Sequence, residues 1–381
     1  MAEFPASLST RLTARAEKGL LRRLPAPAPG FVDFASNDYL GLVRTGRLAA
    51  AVQRKLLVEP ALFVPGATGS RLLTGNSDQV ETLETRLAAY HRAEAALIFS
   101  TGYAANAGFF GSVPQRGDTV LYDEAIHASV RDGLRLSLAK SYSFRHNDVA
   151  DLESKLRFGC GTVYVAVESL YSMDGDLAPL PELASVCERH GLFLVVDEAH
   201  TTGVSGPDGA GRVVELGLED AVFARLLTFG KAVGAAGAAW MGPAALRQYL
   251  INFARAFIYS TALPPLVLTT LDAAYDLLPS LAPERAQLRA VSAALATALA
   301  AVPGLRTHGT TSHIVHAAIP TDQTRLAALA ATVRAAGFDV RPILPPTVPV
   351  GTARLRIIGH AHNSAVECAA LAGALARAAD A

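Results

Sequence analysis

Two short segments hold side chains whose types and spacing could do covalent chemistry. In the first, Asp197-Glu-Ala-His200 follows directly after a continuous apolar run and places a carboxylate three residues before an imidazole. In the second, Lys231 stands in an apolar, glycine-rich stretch that runs from residue 227 to residue 237. Apolar surroundings disfavour the ammonium form of a lysine, so its amine becomes nucleophilic. Together these residue types predict a lysine that forms a Schiff base.

The scarcity of lysine sets Lys231 apart from the other basic residues. The chain has 5 lysines against 29 arginines. The other lysines lie among polar or charged residues typical of surface helices, at positions 18, 55, 140 and 155. Two alternatives stay open at this point. Lys231 could bind a phosphate as a point charge, and Asp197 could serve only as the N-cap of the next helix.

Two further segments follow predicted strands. The segment 99–106, Phe-Ser-Thr-Gly-Tyr-Ala-Ala-Asn, is a glycine turn before a helix, and the N–H groups of such a helix start bind phosphate; an ordinary turn is the alternative. His127 offers an imidazole at another strand end, where a packed or surface histidine is the alternative. A phosphate-binding turn, an aspartate, two imidazoles and a nucleophilic lysine match the needs of pyridoxal 5′-phosphate (PLP). The PLP ring accepts electrons while an aspartate keeps its nitrogen protonated.

The elements before these segments must bring them together. Continuous apolar runs, as expected for strands buried on both faces, stand at 95–99, 119–122, 163–167 and 192–196. Helical segments separate the runs, and this order predicts an α/β fold with a mostly parallel sheet. Because ligands bind at the carboxyl ends of the strands in such sheets, the candidate residues should share one edge.

The chain changes character along its 381 residues. The pattern predicts an amphipathic surface helix over 6–23, and the proline-rich stretch 25–29 then acts as a stiff spacer. A long Ala/Leu-rich helical stretch over 265–300 precedes segments that alternate between strand and helix. We therefore predict an N-terminal helix or arm over 1–45, a large PLP-binding domain over 46–275 and a smaller C-terminal α+β domain over 276–381.

Composition argues against several classes of function. The 34 basic residues balance 34 acidic ones, which removes the long-range attraction that a nucleic-acid binder uses. Three cysteines without a CxxC pair argue against a disulfide framework or a zinc ribbon and favour thiols in a reducing cytoplasm, so no metal site is predicted. Two long uncharged runs, 256–271 and 290–305, are each shorter than the roughly 20 apolar residues that span a bilayer, and we predict no membrane span.

The ordered set of motifs resembles the α-oxoamine synthases, PLP enzymes of fold type I, over essentially the whole chain. The matching segments are SNDYLGL (36–42), GATGSRLLTGN (66–76), STGYAAN (100–106), IHASVRDG (126–133), ESLYSMDGD (168–176), VVDEAHTTGVSG (195–206), TFGKAVG (228–234), FIYSTALPP (257–265) and PTVPVGTARLR (346–356). The resemblance implies the aspartate aminotransferase-like fold, with a large domain on a mostly parallel sheet, a smaller C-terminal α+β domain and an N-terminal arm.

The resemblance implies a role for each matching residue around the cofactor. Lys231 forms the Schiff base with PLP, and Asp197 pairs with the pyridine nitrogen. His127 stacks on the face of the ring, while His200 and Ser172 reach the phenolic oxygen. The implied catalytic set is therefore Lys231, His127, Asp197 and His200.

The resemblance also implies how the phosphate is held. The backbone amides of Gly102 and Tyr103 hold it together with Thr228. Ser260 and Thr261 match a segment that reaches the phosphate from the neighbouring subunit. A homodimer with shared active sites is therefore implied.

The implied activity is an acyl transfer in the cytoplasm. Within the family the chain is most similar to the members of biotin synthesis, which condense L-alanine with pimeloyl-CoA or a pimeloyl carrier protein and release carbon dioxide. Asn37 and Arg356 hold the amino-acid carboxylate. Arg356 does so through two parallel hydrogen bonds from its guanidinium group, which lysine cannot form. One position departs from the pattern. Leu344 stands where biotin-pathway members often carry an arginine, and the nearest arginine in this chain is Arg341. The identity of the acyl chain therefore stays open.

Sister activities use the same motifs. They are serine palmitoyltransferase, which uses serine, 2-amino-3-ketobutyrate CoA ligase, which uses glycine and acetyl-CoA, and 5-aminolevulinate synthase, which uses glycine and succinyl-CoA. An alternative of another class is a catalytically silent subunit of the PLP fold that acts by assembly alone. The intact set of catalytic side chains argues against the silent subunit.

Overall fold

The computed structural model describes residues 4–22, 24, 30–308, 312–318, 323–345 and 347–380. The chain divides into two units. The larger unit comprises Asn37–Ser172 and Asp176–Gln287, and the smaller one comprises Met1–Ser36, Met173–Gly175 and Leu288–Ala381. The domain boundaries that we predict after residues 45 and 275 stay a prediction, and the predicted proline spacer lies outside the described residues.

Strands and helices alternate along the described residues. The strands are β1 (Val32–Asp33), β2 (Ala95–Phe99), β3 (Thr119–Asp123), β4 (Lys140–Phe144), β5 (Val163–Glu168), β6 (Phe193–Asp197), β7 (Ala224–Thr228), β8 (Ala238–Gly242), β9 (Arg306–His308), β10 (Ile314–Ala318), β11 (Phe338–Asp339), β12 (Arg341–Ile343) and β13 (Arg354–Ile358). The α-helices are α1 (Ala6–Glu17), α2 (Arg47–Val58), α3 (Asp78–Tyr90), α4 (Gly102–Phe110), α5 (Ala128–Leu136), α6 (Val149–Lys155), α7 (Leu180–His190), α8 (Arg212–Glu215), α9 (Ala244–Phe253), α10 (Arg255–Ile258), α11 (Pro265–Leu277), α12 (Ala282–Ala300), α13 (Gln323–Ala335) and α14 (Ala365–Asp380). None of the helices in the described ranges has the length and apolarity needed to cross a bilayer.

The larger unit is built on a seven-stranded sheet in the order β2-β8-β7-β6-β5-β3-β4. Strands β4, β3, β5, β6 and β7 run parallel to one another, whereas β8 is antiparallel to its neighbours β7 and β2. The prediction of an α/β fold with a mostly parallel sheet is therefore confirmed. Every strand of this sheet except β8 ends at the same edge, which is where the candidate residues follow.

Apolar packing covers both faces of this sheet, as the continuous apolar runs predict. Side chains alternate between the faces of a strand. In β5, Tyr164 and Ala166 pack into the buried cluster that contains Trp240, and Val165 and Val167 pack into a second cluster on the other face. A strand with two buried faces needs an apolar residue at every position, which explains why the run shows no alternation of polar residues.

Two predicted helices are shorter than their patterns indicate. The helix predicted over 6–23 ends at Glu17, because Gly19 adopts a φ of 65° and closes it. Among residues 6–17 no side chain is buried, as the prediction of a surface helix requires. The stretch predicted over 265–300 is divided into α11 and α12 by a 3-10 turn at Pro279, whose ring cannot donate a hydrogen bond.

The smaller unit has its own sheet and core. Its antiparallel sheet has the strand order β12-β13-β10-β9, and β1 pairs in parallel with β11. Side chains of α13, α14 and the second half of α12 build a buried core with the strands, including Leu295, Val315, Leu355 and Leu371. Leu344 packs against this core. The residue that departs from the family pattern therefore has a packing role within its own unit.

Candidate active site

A cavity of about 340 Å³ lies at the carboxyl edge of the large sheet, within the larger unit. Its volume is in the range of sites that hold a small cofactor. Eight of the residues predicted from the sequence line it, namely Asn37, Gly102, Tyr103, His127, Asp197, His200, Thr228 and Lys231. The strand order explains this convergence, because β2, β3, β5, β6 and β7 all end at this edge and the segments after them form the walls.

Lys231 lies in the connection between β7 and β8. Its neighbours Phe229 and Val233 are fully buried, so the lysine stands in the apolar surroundings that the sequence indicates. The Nζ atom donates a hydrogen bond to Thr228 Oγ1 at 3.1 Å. The turn closes through the N–H of Gly234, which adopts a φ of 72° and donates to the carbonyl of Lys231 at 2.8 Å. The connection therefore presents one amine on an otherwise apolar turn.

Asp197 is the last residue of β6, and its buried carboxylate is held in place by two donors. The backbone N–H of Ala199 donates to Oδ1 at 2.9 Å. The side-chain amide of Asn106, on α4, donates to Oδ2 at 3.0 Å. A role as N-cap does not account for the whole Asp197 carboxylate, because the side chain of Asn106, on another element, orients one of its oxygens.

A chain of hydrogen bonds continues from Asp197 to His127. Asn106 Nδ2 also donates to Ser129 Oγ at 2.9 Å, and Ser129 Oγ lies 2.7 Å from His127 Nδ1. The backbone N–H of Ser129 donates to His127 Nδ1 at 3.2 Å, so this nitrogen acts as an acceptor. An accepting Nδ1 requires a neutral ring with its proton on Nε2.

The surroundings of His127 favour that neutral form. His127 is exposed at the cavity, although the surrounding protein still removes part of its hydration. Burial lowers the pKa of His127, and repulsion by Lys231 lowers it further, against the attraction of Asp197. We infer that His127 meets the cavity as a neutral aromatic ring.

His200 belongs to a second hydrogen-bonded chain. Its Nδ1 lies 2.6 Å from the hydroxyl oxygen of Tyr39, and the Tyr39 hydroxyl donates to Asn37 Oδ1 at 3.0 Å. With that proton committed to Asn37, His200 Nδ1–H donates to Tyr39. Tyr39 is fully buried, so it orients the imidazole from behind. Sequence reasoning missed Tyr39, although it lies in the SNDYLGL motif beside Asn37.

The start of α4 forms the end of the cavity suited to phosphate. The Thr101 side chain caps the helix by accepting from the N–H of Ala104 at 3.0 Å. The next amides, those of Gly102 and Tyr103, belong to the first turn of a helix, which has no internal partners for them and favours an anion. A Cβ on Gly102 would lie 2.7 Å from Thr228 Cγ2. This close approach of two loops therefore requires glycine.

Glu168 is a cavity residue that sequence reasoning missed. It ends β5 and pairs in register with Asp197 at the end of β6, so the two carboxyl groups are neighbours on one face of the sheet. Burial raises the pKa of Glu168 well above its usual range, and repulsion by Asp197 adds to the shift. An acid directly after a buried strand was the available signal, the same one that identifies Asp197.

Four predicted residues lie elsewhere in the described part of the chain. Ser172 is buried on the segment after β5, beside the cavity residue Glu168 in sequence but outside the cavity lining. Ser260 and Thr261 line a separate small cavity with Ser100, which also belongs to the lining of the main one. Arg356 lies in the smaller unit, on β13, opposite His316 of β10. The predicted roles of these four residues stay predictions.

One cluster in the smaller unit has the composition of a metal site. Asp33, His360 and His362 place donor atoms within 4.8 Å of one another. The two imidazole rings, however, stack at 4.8 Å with their planes 20° apart, so their in-plane lone pairs do not converge on one ion. His360 is also hydrogen-bonded through Nε2 to Ser36 and through Nδ1 to Asn363. Both ring nitrogens of His360 therefore serve in hydrogen bonds, and the geometry of the cluster does not suit a metal centre.

The donor set at the large cavity fits PLP. It combines an amine on an apolar turn, a buried carboxylate with fixed orientation, a neutral aromatic imidazole and a helix start that favours an anion. Each group matches one part of the cofactor, namely the aldehyde carbon, the ring nitrogen, the ring face and the phosphate.

The chain is similar to known proteins over most of its length. The family model described as aminotransferase class I and II matches residues 29–375. An 8-amino-7-oxononanoate synthase from Emericella nidulans is 40% identical over 382 residues, which cover 95% of this chain and 92% of that protein. An enzyme of the same name from Anaeromyxobacter dehalogenans is 41% identical over 371 residues, which cover 94% and 92%.

Solved structures share the fold. A serine palmitoyltransferase from Sphingomonas wittichii has a TM-score of 0.88 at 28% identity, with 100% of this chain and 98% of that chain covered. The serine palmitoyltransferase of S. paucimobilis, with a bound PLP–myriocin aldimine, has a TM-score of 0.87 at 28% identity, with 98% and 97% covered. An 8-amino-7-oxononanoate synthase from Francisella tularensis has a TM-score of 0.78 at 25% identity, with 92% and 98% covered.

Proposed function

Because this chain belongs to the α-oxoamine synthases within the class I and II aminotransferase family, we propose that it condenses L-alanine with a pimeloyl thioester to form 8-amino-7-oxononanoate in biotin synthesis. The thioester is pimeloyl-CoA or a pimeloyl carrier protein, and carbon dioxide is released. The observation that carries the proposal is the identity of 40% and 41% to synthases of that name over nearly the whole chain. The cavity at the sheet edge supplies the matching side chains.

PLP, the cofactor that this family implies, supplies an electron sink for the carbanion formed at the α-carbon of the amino acid. Lys231 is its covalent attachment point. The Lys231 amine, when it is free of the cofactor, would be the base that takes the α-proton of alanine. Thr228 Oγ1, 3.1 Å from Nζ, keeps this amine at the cavity wall when it is released.

Asp197 and His127 set the position and charge of the ring. Asp197 pairs with the ring nitrogen and keeps it protonated, and the Asn106 amide prevents the carboxylate from turning away. His127 lies against the ring face as a neutral imidazole. Glu168, held protonated beside Asp197, adds no second negative charge at this end of the cavity.

The remaining assignments concern the edge of the ring and the substrates. His200 and Ser172 hold the phenolic oxygen, His200 through Nε2, the ring nitrogen that does not contact Tyr39. Asn37 and Arg356 bind the alanine carboxylate. Correct placement of the bond to be broken excludes competing transamination.

Serine palmitoyltransferase activity is the second candidate. Structures of that name match this chain with TM-scores of 0.87 and 0.88. Leu344 also places an apolar side chain where biotin-pathway members often carry an arginine. The two candidates differ in both substrates, so one matrix of substrates separates them.

We expect alanine with pimeloyl-CoA to give the highest kcat/KM when glycine, alanine and serine are crossed with acyl-CoA thioesters of different length. Heptanoyl-CoA is the matched control, since it has the same chain length and lacks the terminal carboxylate. If a charged hydrogen bond recognises that carboxylate, heptanoyl-CoA should react about ten- to a hundredfold more slowly. Serine with palmitoyl-CoA as the best pair would overturn the proposal and establish the second candidate.

The exposed apolar surface of the larger unit supports a homodimer. Large apolar side chains are exposed around the end of α2 and the segment after it, namely Leu57, Val58, Phe63, Val64, Leu72 and Leu73. Exposed apolar groups in this number mark a contact surface. We propose that a second copy covers them, that Ser260 and Thr261 then reach the partner's phosphate, and that the dimer resides in the cytoplasm.

Substituting Leu73, which is 81% exposed, by glutamate should shift the protein to monomers and reduce activity by at least tenfold, because the desolvated carboxylate disfavours the interface. A tenfold change in the dimerisation constant corresponds to about 1.4 kcal/mol. Sedimentation velocity and steady-state turnover measure the two effects. Val366→Glu is the control, since Val366 is 78% exposed in the smaller unit. A monomeric Leu73→Glu protein with full activity would contradict the shared site.

A further inference from the structure

His146 joins two segments of the larger unit that lead into the cavity. The residue lies between β4 and α6, outside the cavity lining in the described part of the chain. Its Nδ1 lies 2.9 Å from Asp123 Oδ1, and its Nε2 lies 2.8 Å from Asp176 Oδ2. Both nitrogens can donate to carboxylates only when the ring is protonated. The geometry is therefore that of an imidazolium held between two aspartates.

The electrostatic balance supports a charged ring. Burial by itself lowers the pKa of His146, but hydrogen bonds and attraction from Asp123 and Asp176 outweigh it and raise the pKa to about 10. The ring also meets Tyr171 edge-on, with centroids 4.4 Å apart and planes at 87°. The side chain is fixed on three sides.

The first aspartate orients the segment that carries His127. Asp123 is the fully buried last residue of β3, four residues before His127. Its Oδ1 also accepts from the N–H of Ala125 at 2.8 Å, which forms the turn toward His127. Its Oδ2 accepts from the N–H of Asn147 at 2.8 Å. The carboxylate therefore ties the end of β3 to the segment after β4.

The second aspartate orients the segment that carries Glu168 and Ser172. The backbone N–H of Tyr171 donates to the carbonyl of Asp176 at 3.0 Å and closes a loop after β5. Asn147 Nδ2 donates to Asp176 Oδ2 at 2.8 Å, beside the His146 contact. The end of β5 is thus held against the same histidine as the end of β3.

The backbone at Asn147 adopts a strained conformation that brings its two donors to both aspartates. Asn147 has a φ of 53°, a left-handed conformation that non-glycine residues seldom adopt. Its N–H and its side-chain amide contact Asp123 and Asp176, which places both donors at the joint. Strain of this kind persists when the surrounding contacts require it.

We propose that His146 is a positioning residue, a cationic clamp that fixes the His127 segment and the Ser172 segment relative to each other and so sets the orientation of the cofactor ring. The inference rests on the proposed function. His146 touches neither cofactor nor substrate; it acts through Asp123 and Asp176.

The test is the His146→Gln variant, which keeps one amide donor and loses the charge and the second bond. We expect it to retain PLP on Lys231, to show an altered visible circular dichroism band of the bound cofactor, and to lose about ten- to a hundredfold in kcat with alanine. His190→Gln is the matched control, because His190 stands half-exposed at the end of α7 with its nearest carboxylate at 4.0 Å. An unchanged band and unchanged kcat in His146→Gln would overturn the proposal.

A double-mutant cycle with Asp176→Asn separates the clamp from general destabilisation. If both residues act through one contact, the kcat of the double variant should be within about twofold of the kcat of the less active single variant. Effects on kcat that multiply would overturn the proposal. Asp176→Asn also serves alone if His146→Gln does not fold, since the Asp123 contact is kept. The circular dichroism reports ring orientation even if the wild-type protein fails to use a pimeloyl thioester, an outcome that would contradict only the proposed function.

The clamp also has a defined dependence on pH. The pKa of His146 is raised in the folded protein, so its stabilising effect is complete below about pH 6.5 and is lost as pH rises through about 10. The groups that face the ring are Asp123, Asp176 and Tyr171, and Glu124 accepts from the His146 backbone N–H. The difference in melting temperature between wild type and His146→Gln should therefore shrink from pH 6.5 to pH 10. A difference that stays constant over this range would contradict a charged clamp.

Discussion

Replacing Lys231 by alanine should abolish the condensation, with a loss of turnover on the order of 10⁴-fold or more, because one amine serves as attachment point and base. The visible absorption band of a covalently held cofactor should be absent from the purified variant. In the wild type, the band should disappear on borohydride reduction and leave Lys231 as the modified residue. Absorption spectra, mass spectrometry of peptides and turnover measurements give the three readouts.

The matched control for this experiment is Lys140→Ala. Lys140 is exposed at the start of β4, away from the cavity lining in the described ranges. It should retain both the absorption band and the activity. Turnover by Lys231→Ala would contradict the role of base, and a wild-type protein without a cofactor band after reconstitution would favour the silent subunit.

Replacing Asp197 by asparagine should lower kcat by about 10²- to 10³-fold, the size expected when a charge that stabilises the transition state is removed from a buried site. The substitution keeps the shape of the side chain and removes its negative charge. Since the carboxylate accepts from Asn106 and from the N–H of Ala199, the amide must also turn one N–H toward a donor. Both effects weaken protonation of the ring nitrogen.

The effect should appear in kcat more than in the KM for alanine, because the ring charge matters most when the carbanion forms. Asp220→Asn, at an exposed site before β7, is the control and should behave as wild type. A variant Asp197→Asn with wild-type kcat would show that the ring nitrogen is held by another group. Glu168 is the nearest alternative acid, so the double variant with Glu168→Gln tests that reading.

The parts of the fold that sequence predicted well depend on local signals. The run at 95–99 becomes β2 with the same bounds, because five successive apolar residues suit a strand with two buried faces. Asp197 follows from the rule that ligands bind beyond the carboxyl ends of parallel strands. These inferences need only the residues themselves and their neighbours along the chain.

The parts that escaped prediction depend on contacts between distant segments. The chain from Asp197 through Asn106 and Ser129 to His127 exists because α4 packs beside the start of α5. Nothing in the local pattern tells which way the Asn106 amide turns. The neighbourhood of Glu168 and Asp197 likewise requires the register of β5 against β6.

The antiparallel strand β8 has a consequence for how the protein folds. Strand β8 pairs with β2, the first strand of the large sheet in chain order, although about 140 residues separate the two. Thr228 and Lys231 come just before β8, and Gly102 comes just after β2. Contacts this distant in sequence are closed late and slow the folding rate. The phosphate end of the cavity should therefore be among the last parts to form, and added cofactor should act on a late step of refolding.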